Sequence, residues 1–330
     1  MIIKLIILVL LYFTTNYLMK FLKLNSIHKR IVLYFDYVFI YRPTLFFTVW
    51  VMICLGMYTA YLSNHQIPQW MFEFDFKICL LFISMSCIMG TIFIKENQEV
   101  LDQYEYLDKN IVQLLSKISL FVGLILLLFI NIYNFLLGVA LYFFWYFSWN
   151  QKTKSNVLAK CLLNIVIGMF LLFSGFFVVI SKGNYFSLDL MPISYVPWLM
   201  LFLFSLCYLT VFLFIEVSET DKNVFNDRRI MFLISTVLLI FVLMISLAIN
   251  EPLLSVCTLV SIPFYLYALL RNMDKDMIRA IKYPVFIFNF FTATIFPYLG
   301  VAVIIVFYFS KYYYWHRFDT HYPTFLIDND

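Results

Sequence analysis

Residues 112–149 read VQLLSKISLFVGLILLLFINIYNFLLGVALYFFWYFSW, and Lys117 is the only charged residue among them. A helix needs about 20 apolar residues to cross the hydrocarbon of a bilayer, so this stretch is long enough for two such helices. The NIYN sequence at 131–134 predicts a tight hairpin between a span at 112–129 and a span at 131–149. The stretch therefore predicts two consecutive transmembrane helices.

The composition of the whole chain agrees with this local pattern. Apolar residues make up 64% of the 330 residues and charged residues only 13%, and the mean hydropathy is +0.90. An ordinary soluble domain is about 45–50% apolar and roughly 25% charged, which excludes that class. A membrane β-barrel would show alternating segments of about 10 residues, whereas the apolar runs here are about twice as long. The expected fold is therefore all-α, a polytopic transmembrane helical bundle.

The apolar runs predict ten spans in total. Their expected positions are 2–19, 43–63, 76–94, 112–129, 131–149, 158–181, 195–215, 230–249, 251–270 and 283–310. The first run has a Lys before a short apolar stretch, as a signal peptide would, but it lacks a small-residue cleavage site. This favours a retained N-terminal anchor over residues 1–24, with a signal peptide as the alternative, followed by one transmembrane domain over 25–330.

Basic residues orient the chain, because cytoplasmic loops of membrane proteins are enriched in Lys and Arg. Five alternate loops, at 20–42, 95–117, 150–160, 216–229 and 271–282, carry 18 of the 23 basic residues. These five loops are therefore expected on the cytoplasmic side, and both chain termini on the other side. Since the positive charge is shared among loops rather than gathered on one face, nucleic acid is not an expected partner.

Sulfur and imidazole groups offer little candidate chemistry. The six Cys lie in or at the edges of apolar spans without CxxC spacing, which indicates small core residues rather than metal ligands or disulfides. The four His are scattered along the chain and predict no zinc or haem site.

Two acidic clusters carry the remaining candidate chemistry. The first lies in KENQEVLDQYEYLDKN (95–110) and the second in FIEVSETDKNVFNDRR (214–229), so both follow spans that run toward the cytoplasm. Carboxylate and amide oxygens are the ligands that Mg²⁺ accepts, and Mg²⁺ usually shares its coordination with substrate phosphates. Acidic clusters beside Lys and Arg at a membrane border would suit the head of a lipid diphosphate.

A family resemblance adds to this reading. The sequence FIYRPTLFFTVWVMICLGMY (39–58), with its Arg-Pro before an aromatic first span, resembles the opening helix of UbiA-superfamily prenyltransferases. The nine spans after residue 42 and the C-terminal YYYWHRFDTHYP (312–323) are also similar to that family. The resemblance implies a nine-helix core with two Asp-rich motifs that bind Mg²⁺ and a prenyl diphosphate, plus an extra first helix.

Both motifs of the chain depart from the family pattern. In the first, Asn97, Asp102 and Asp108 are separated by five and six residues instead of four, which places the two Asp about 120° apart on an unbroken helix. Either the helix is interrupted there or the metal site is rebuilt, since Glu99, Asp102 and Glu105 share a face better. In the second, Val217 stands where the first Asp is expected, whereas Glu219, Asp221 and Lys222 are retained in type.

The resemblance implies a Mg²⁺-dependent transfer of a prenyl group from a polyprenyl diphosphate to a lipid-soluble acceptor. The alternative is a catalytically inactive lipid-binding or scaffolding subunit of a membrane complex, which the altered motifs favour; a transporter is a weaker third hypothesis, because the spans carry no charged residue near their middle. The candidate metal ligands are Asn97, Asp102, Glu105, Asp108, Glu219 and Asp221, and the candidate diphosphate-binding residues are Lys109, Lys222, Arg228 and Arg229.

Overall fold

The structure is a computed structural model that describes residues 26–63, 75–96, 107–148, 157–181, 199, 202–203, 225–271 and 273–318. These residues form ten α-helices and no strand, which confirms the all-α prediction for this part of the chain. The helices are α1 Ser26–Phe39, α2 Phe46–Ser63, α3 Phe76–Glu96, α4 Lys109–Ile130, α5 Ile132–Ser148, α6 Val157–Ile180, α7 Phe225–Ala248, α8 Pro252–Arg271, α9 Asp274–Ile295 and α10 Pro297–Phe318.

Several of these helices are long and apolar enough to cross a membrane. By length and composition, four segments of the described chain qualify: Pro43–Tyr61, Phe76–Glu96, Lys109–Ile130 and Pro252–Arg271. Shorter apolar helical stretches lie at Ile132–Ser148, Ile165–Ile180, Phe232–Ala248 and Tyr283–Ile295. This is consistent with a membrane protein. The predicted spans at 2–19 and, for the most part, at 195–215 lie outside the described residues.

Tight turns join successive helices, as expected at NIYN. Asn131 separates α4 from α5, and its side-chain oxygen accepts a 2.7 Å hydrogen bond from the backbone N–H of Asn134. A second turn joins α7 to α8, where Asn250 adopts a left-handed φ of 57° and Glu251 donates its N–H to the carbonyl oxygen of Ser246 at 2.8 Å. Such turns make the joined helices antiparallel neighbours.

The prediction of one span at 283–310 is wrong. Helix α9 ends at Ile295 and α10 begins at Pro297, with Phe296 between them in a non-helical conformation. A residue before proline is disfavoured in the helical region, and proline suits the first position of a new helix because it has no N–H to donate. Helix α10 therefore runs back, and Arg317 near its end reaches Asp36 in α1. The expectation that the chain ends opposite the 20–42 segment is thus wrong for Phe318.

The segment before the predicted span at 43–63 also differs from the prediction. A loop was expected at 20–42, but residues 26–39 form helix α1. After it, Arg42 takes a left-handed φ of 49° and a short 3-10 turn at Pro43–Leu45 leads into α2.

The bundle has two ends, which we name after residues that lie there. Antiparallel packing of α3 on α4 is fixed by hydrogen bonds from Thr91 to the carbonyl oxygen of Ser116 and from Ser119 to that of Cys87. The Glu96 end therefore contains the C-terminus of α3 and the start of α4. The Glu251 end contains the α4–α5 turn and the α7–α8 turn.

Helices α2 and α6 approach each other most closely in the core. A Cβ on Gly56 would lie 2.9 Å from the carbonyl carbon of Leu172, and one on Gly175 would lie 2.8 Å from the carbonyl carbon of Ile53. Ordinary van der Waals contact begins at 3.4 Å, so only glycine fits at these two positions. Small residues that bring backbones together are typical of helix packing in membranes.

Candidate functional site at the Glu96 end

The structure describes only part of the predicted site. Asn97, Asp102, Glu105, Glu219, Asp221 and Lys222 lie outside the described residues, as do the side chains of Arg228 and Arg229 in α7. Asp108 and Lys109 are described, at the start of α4. Whether the two acidic clusters meet stays a prediction.

The helix ends that flank the two clusters lie at the same end of the bundle. The first cluster joins the end of α3 to the start of α4, both at the Glu96 end. The second cluster precedes α7, which has 24 residues and is therefore about 36 Å long. Since α7 finishes at the Glu251 end, its first residue Phe225 lies at the Glu96 end.

Lys95, next to the first cluster, is held by aromatic residues of α5. Its Nζ donates a 2.5 Å hydrogen bond to the hydroxyl oxygen of Tyr142. The same ammonium lies 5.1, 5.7 and 5.8 Å from the ring centroids of Tyr142, Trp145 and Tyr146. These rings recur one helical turn apart on α5, and a cation within about 6 Å of a ring face is attracted to it. The positive charge of Lys95 is therefore fixed at the end of α3.

Glu96, the first carboxylate of the cluster, is also bound to α5. The indole N–H of Trp145 donates a 2.8 Å hydrogen bond to Oε1 of Glu96, and the Trp145 side chain is buried. One residue of α5 thus contacts both Lys95 and Glu96. The sequence gives no sign of this contact, because Trp145 belongs to an aromatic run that predicts only a membrane span.

Asp108, at the other end of the cluster, caps helix α4. Its carboxylate accepts a 2.8 Å hydrogen bond from the backbone N–H of Asn110, and its own N–H lies 3.5 Å from the hydroxyl oxygen of Tyr37 in α1. The side chain is exposed. A carboxylate has about four acceptor sites, so the cap leaves Asp108 able to bind a cation as well.

Metal ligands do not gather within the described part of the chain. No group of three or more His, Cys, Asp or Glu side chains there is arranged to hold a metal ion. Of the six candidate ligands, only Asp108 has a described side chain. Its carboxylate is exposed, and carboxylate oxygens are ligands that Mg²⁺ accepts.

A buried ion pair that no sequence pattern indicates lies at the Glu96 end. Asp36 of α1 is 1% exposed, accepts a 2.6 Å hydrogen bond from the Tyr313 hydroxyl, and lies 3.2 Å from Nε of Arg317. Tyr313 is fully buried and its ring stacks on that of Phe39 at 3.7 Å. Tyr313 therefore joins α10 to α1 inside the bundle.

A second buried carboxyl lies at the Glu251 end. Glu251 is 6% exposed, and its Oε1 accepts a 2.6 Å hydrogen bond from the Tyr58 hydroxyl. Burial raises the pKa of the Glu251 carboxyl above its ordinary value, and the hydrogen bond from Tyr58 offsets part of this shift. The sequence signal was the polar turn before Pro252, which predicts a hairpin but not a buried acid.

Comparisons of the chain with known protein families, curated proteins and solved structures find no match. The resemblance to the UbiA superfamily therefore rests on motifs in the sequence and stays a prediction.

Proposed function

We propose that this protein is a multi-pass membrane protein whose functional groups lie at the Glu96 end, on the cytoplasmic side. The apolar helices support membrane insertion. The orientation is supported by the Lys and Arg residues of the connecting loops, which are concentrated in segments that adjoin helix ends at the Glu96 end.

The reaction that we propose is prenyl transfer of the UbiA type. The allylic C–O bond of a polyprenyl diphosphate breaks, diphosphate leaves with the electron pair, and a lipid-soluble acceptor bonds to the carbon and loses a proton. In this proposal Lys109, Lys222, Arg228 and Arg229 donate hydrogen bonds to the diphosphate. The carboxylates of both acidic clusters hold Mg²⁺, which when bound supplies positive charge against the leaving group.

One observation carries this proposal. The segments that bear the two acidic clusters both adjoin helix ends at the Glu96 end, although more than 100 positions separate them in the chain. Two acidic clusters that border the same end of an apolar bundle suit a ligand with a charged head and an apolar tail.

The test is Mg²⁺-dependent diphosphate release from a panel of prenyl diphosphates by the purified protein. Asp102→Asn and Asp221→Asn should each abolish release. Asp75→Asn is a matched control, because Asp75 lies at the Glu251 end, where its carboxylate accepts a hydrogen bond from the N–H of Lys77 at 2.9 Å. Release that survives both cluster substitutions, or that needs no divalent metal, would overturn the proposed reaction.

A second candidate is a lipid-binding or scaffolding subunit without catalysis. It is favoured because Glu96, the first carboxylate of the first cluster, is already engaged within the protein by the indole N–H of Trp145. In the same experiment this candidate predicts binding of the prenyl diphosphate without release of diphosphate.

A further inference from the structure

Two buried asparagines lie three positions apart at the turn between α4 and α5. Asn131 and Asn134 are both 0% exposed. The side-chain amide of Asn131 is bonded through both of its polar atoms. Its oxygen accepts a 2.7 Å hydrogen bond from the backbone N–H of Asn134, and its nitrogen donates to the hydroxyl oxygen of Ser181 at 3.1 Å. Asn131 therefore caps α5 and also joins it to the residue that follows α6.

The side chain of Asn134 has no such bonds. Within the described part of the chain, neither its amide oxygen nor its amide nitrogen has a hydrogen-bond partner. Other described side chains with a buried, unpartnered polar atom have only one such atom each. An amide that is buried without hydrogen bonds is strongly unfavourable, and buried polar groups in native proteins are nearly always bonded. The fold therefore places at Asn134 an amide that needs a partner from outside the chain.

Further hydrogen-bond acceptors lie around this amide. The Ser181 hydroxyl donates to a carbonyl oxygen of α6 and accepts from Asn131, which leaves one of its acceptor sites open. The side-chain oxygen of Asn131 also keeps a second acceptor site. Tyr133, the residue before Asn134, packs on Phe177 of α6 with ring centroids 5.9 Å apart. Asn134 therefore lies at a polar junction between the first turn of α5 and the last turn of α6.

The two atoms of the Asn134 amide restrict the chemistry of the ligand. The oxygen only accepts hydrogen bonds and the nitrogen only donates them. A cation would bind the oxygen and leave the N–H groups unpaired, and an anion would do the reverse. A ligand that serves both atoms must donate and accept. Because the side chain is fully buried, that ligand must also be small. Water meets both conditions, and a buried water typically forms about three hydrogen bonds.

We propose that Asn134 is a binding site for ordered water. The water bridges the Asn134 amide to the open acceptor sites of Asn131 and Ser181, and it thereby links the α4–α5 hairpin to the end of α6 at the Glu251 end. This inference goes beyond the proposed function and does not depend on it. A failure to release diphosphate leaves it unaffected.

Direct observation tests the site. The full-length protein is reconstituted into nanodiscs, and its structure is determined by cryo-electron microscopy at a resolution that shows ordered waters. We expect a density peak at hydrogen-bond distance, about 2.7–3.2 Å, from the Asn134 amide and from at least one of the two neighbouring acceptors. Absence of a peak, a direct bond from the amide to a protein group, or a peak surrounded by oxygen atoms alone, as for a cation, would each overturn the proposal.

Matched substitutions test the energetic contribution of the water. Leucine has the same branching as asparagine, so Asn134→Leu removes the polar atoms with little change in shape. Asn131→Leu is the benchmark, because it loses the two hydrogen bonds described above. We expect Asn134→Leu to lower the thermal unfolding midpoint in detergent by roughly 2–4 °C or more, comparable to the benchmark.

The opposite result follows if the Asn134 amide is unpaired. Its removal would then relieve an unfavourable burial, so the midpoint of Asn134→Leu would equal or exceed that of the unmodified protein. This outcome contradicts the proposal. A lower midpoint without a water peak in the cryo-electron microscopy map would assign the loss to the bulk of leucine, and it would also contradict the proposal.

Discussion

Replacement of Gly56 by alanine should force α2 and α6 apart. The added Cβ would lie 2.9 Å from the carbonyl carbon of Leu172 and 3.1 Å from the backbone nitrogen of Phe176. Both neighbours are helix backbone, which cannot turn aside as a flexible side chain can. The nearest atom, the carbonyl oxygen of Leu172, would lie closer still, so the helices would have to separate by roughly 1.4 Å to restore an ordinary 3.4 Å contact.

The cost of this separation follows from the packing it loses. A gap of about 0.5–1 Å forfeits a quarter to a half of the dispersion energy between facing atoms. Added methyl groups in a well-packed core typically cost about 1–3 kcal/mol, and we expect Gly56→Ala to lie at or above the upper end of this range, because the required separation is larger than such a gap. Gly175→Ala should cost about as much, because its Cβ would meet the backbone of Ile53 in the same contact. One separation relieves both, so the double variant should lose less than the sum.

The measurement is equilibrium unfolding in mixed micelles with increasing SDS, followed by circular dichroism. Gly300→Ala is the matched control, since its Cβ would lie 3.5 Å from the nearest atom, in Ala293. There we expect no loss, or a gain of about 0.5–1 kcal/mol from the better helix propensity of alanine. Gly56→Ala within about 0.5 kcal/mol of the control would refute the close approach of α2 and α6. Strict additivity of the two core substitutions would refute their shared contact.

Three further predictions concern the buried and capping carboxylates. Asp36→Ala leaves Arg317 without its anion in a largely buried site, so thermal unfolding in detergent should show a loss of about 3 kcal/mol; a loss below about 1 kcal/mol would mean that the pair is effectively solvated. The pKa of Glu251 is raised, so the folded state favours the neutral carboxyl. The stability gained from this preference is complete below the unfolded pKa of about 4.3 and is lost as pH rises through the folded pKa. Glu251→Gln should remove that decline from the melting temperature between pH 4 and 8, and an unchanged decline would contradict this assignment. Asp108→Asn should retain the stability of α4, because Asn caps a helix as well as Asp does; a melting temperature as low as that of Asp108→Ala would show that the charge matters to the cap.

The positions of the membrane-length helices were predictable because they depend on local composition. An apolar run such as 76–94 has no stable alternative to a helix in a bilayer, and α3 extends only two residues beyond it. The turns at Asn131 and Glu251 were predictable for the same reason, since a few polar residues interrupt otherwise continuous apolar runs.

Helix α1 and the division at Phe296 were not found in the sequence. Helix α1 carries Asp36 on its buried face, and a carboxylate in a sequence does not predict a buried position. Only the fold brings Arg317 and Tyr313 beside it. At Phe296 the signal was present, because Pro297 favours a helix start, but the apolar character continues across the break and hides it from a search for long apolar runs.

Contacts at the candidate site were beyond the sequence for a different reason. Lys95 and Glu96 meet Trp145 only because of the relative rotation of α3 and α5, which depends on packing at every level of the two helices. Composition placed charged residues at a membrane border, but it does not say which of them are engaged by the protein and which are left for a ligand.

The ion pair between α1 and α10 links residues that are 281 positions apart in the chain. A ribosome adds about 5–20 residues per second, so on the order of tens of seconds pass between the synthesis of Asp36 and that of Arg317. Throughout this interval the nascent Asp36 lacks the cation that makes its burial favourable. Helix α1 can therefore take its final place only after α10 has been translated, so the packing of α1 on α10 is a late step in the biogenesis of the protein.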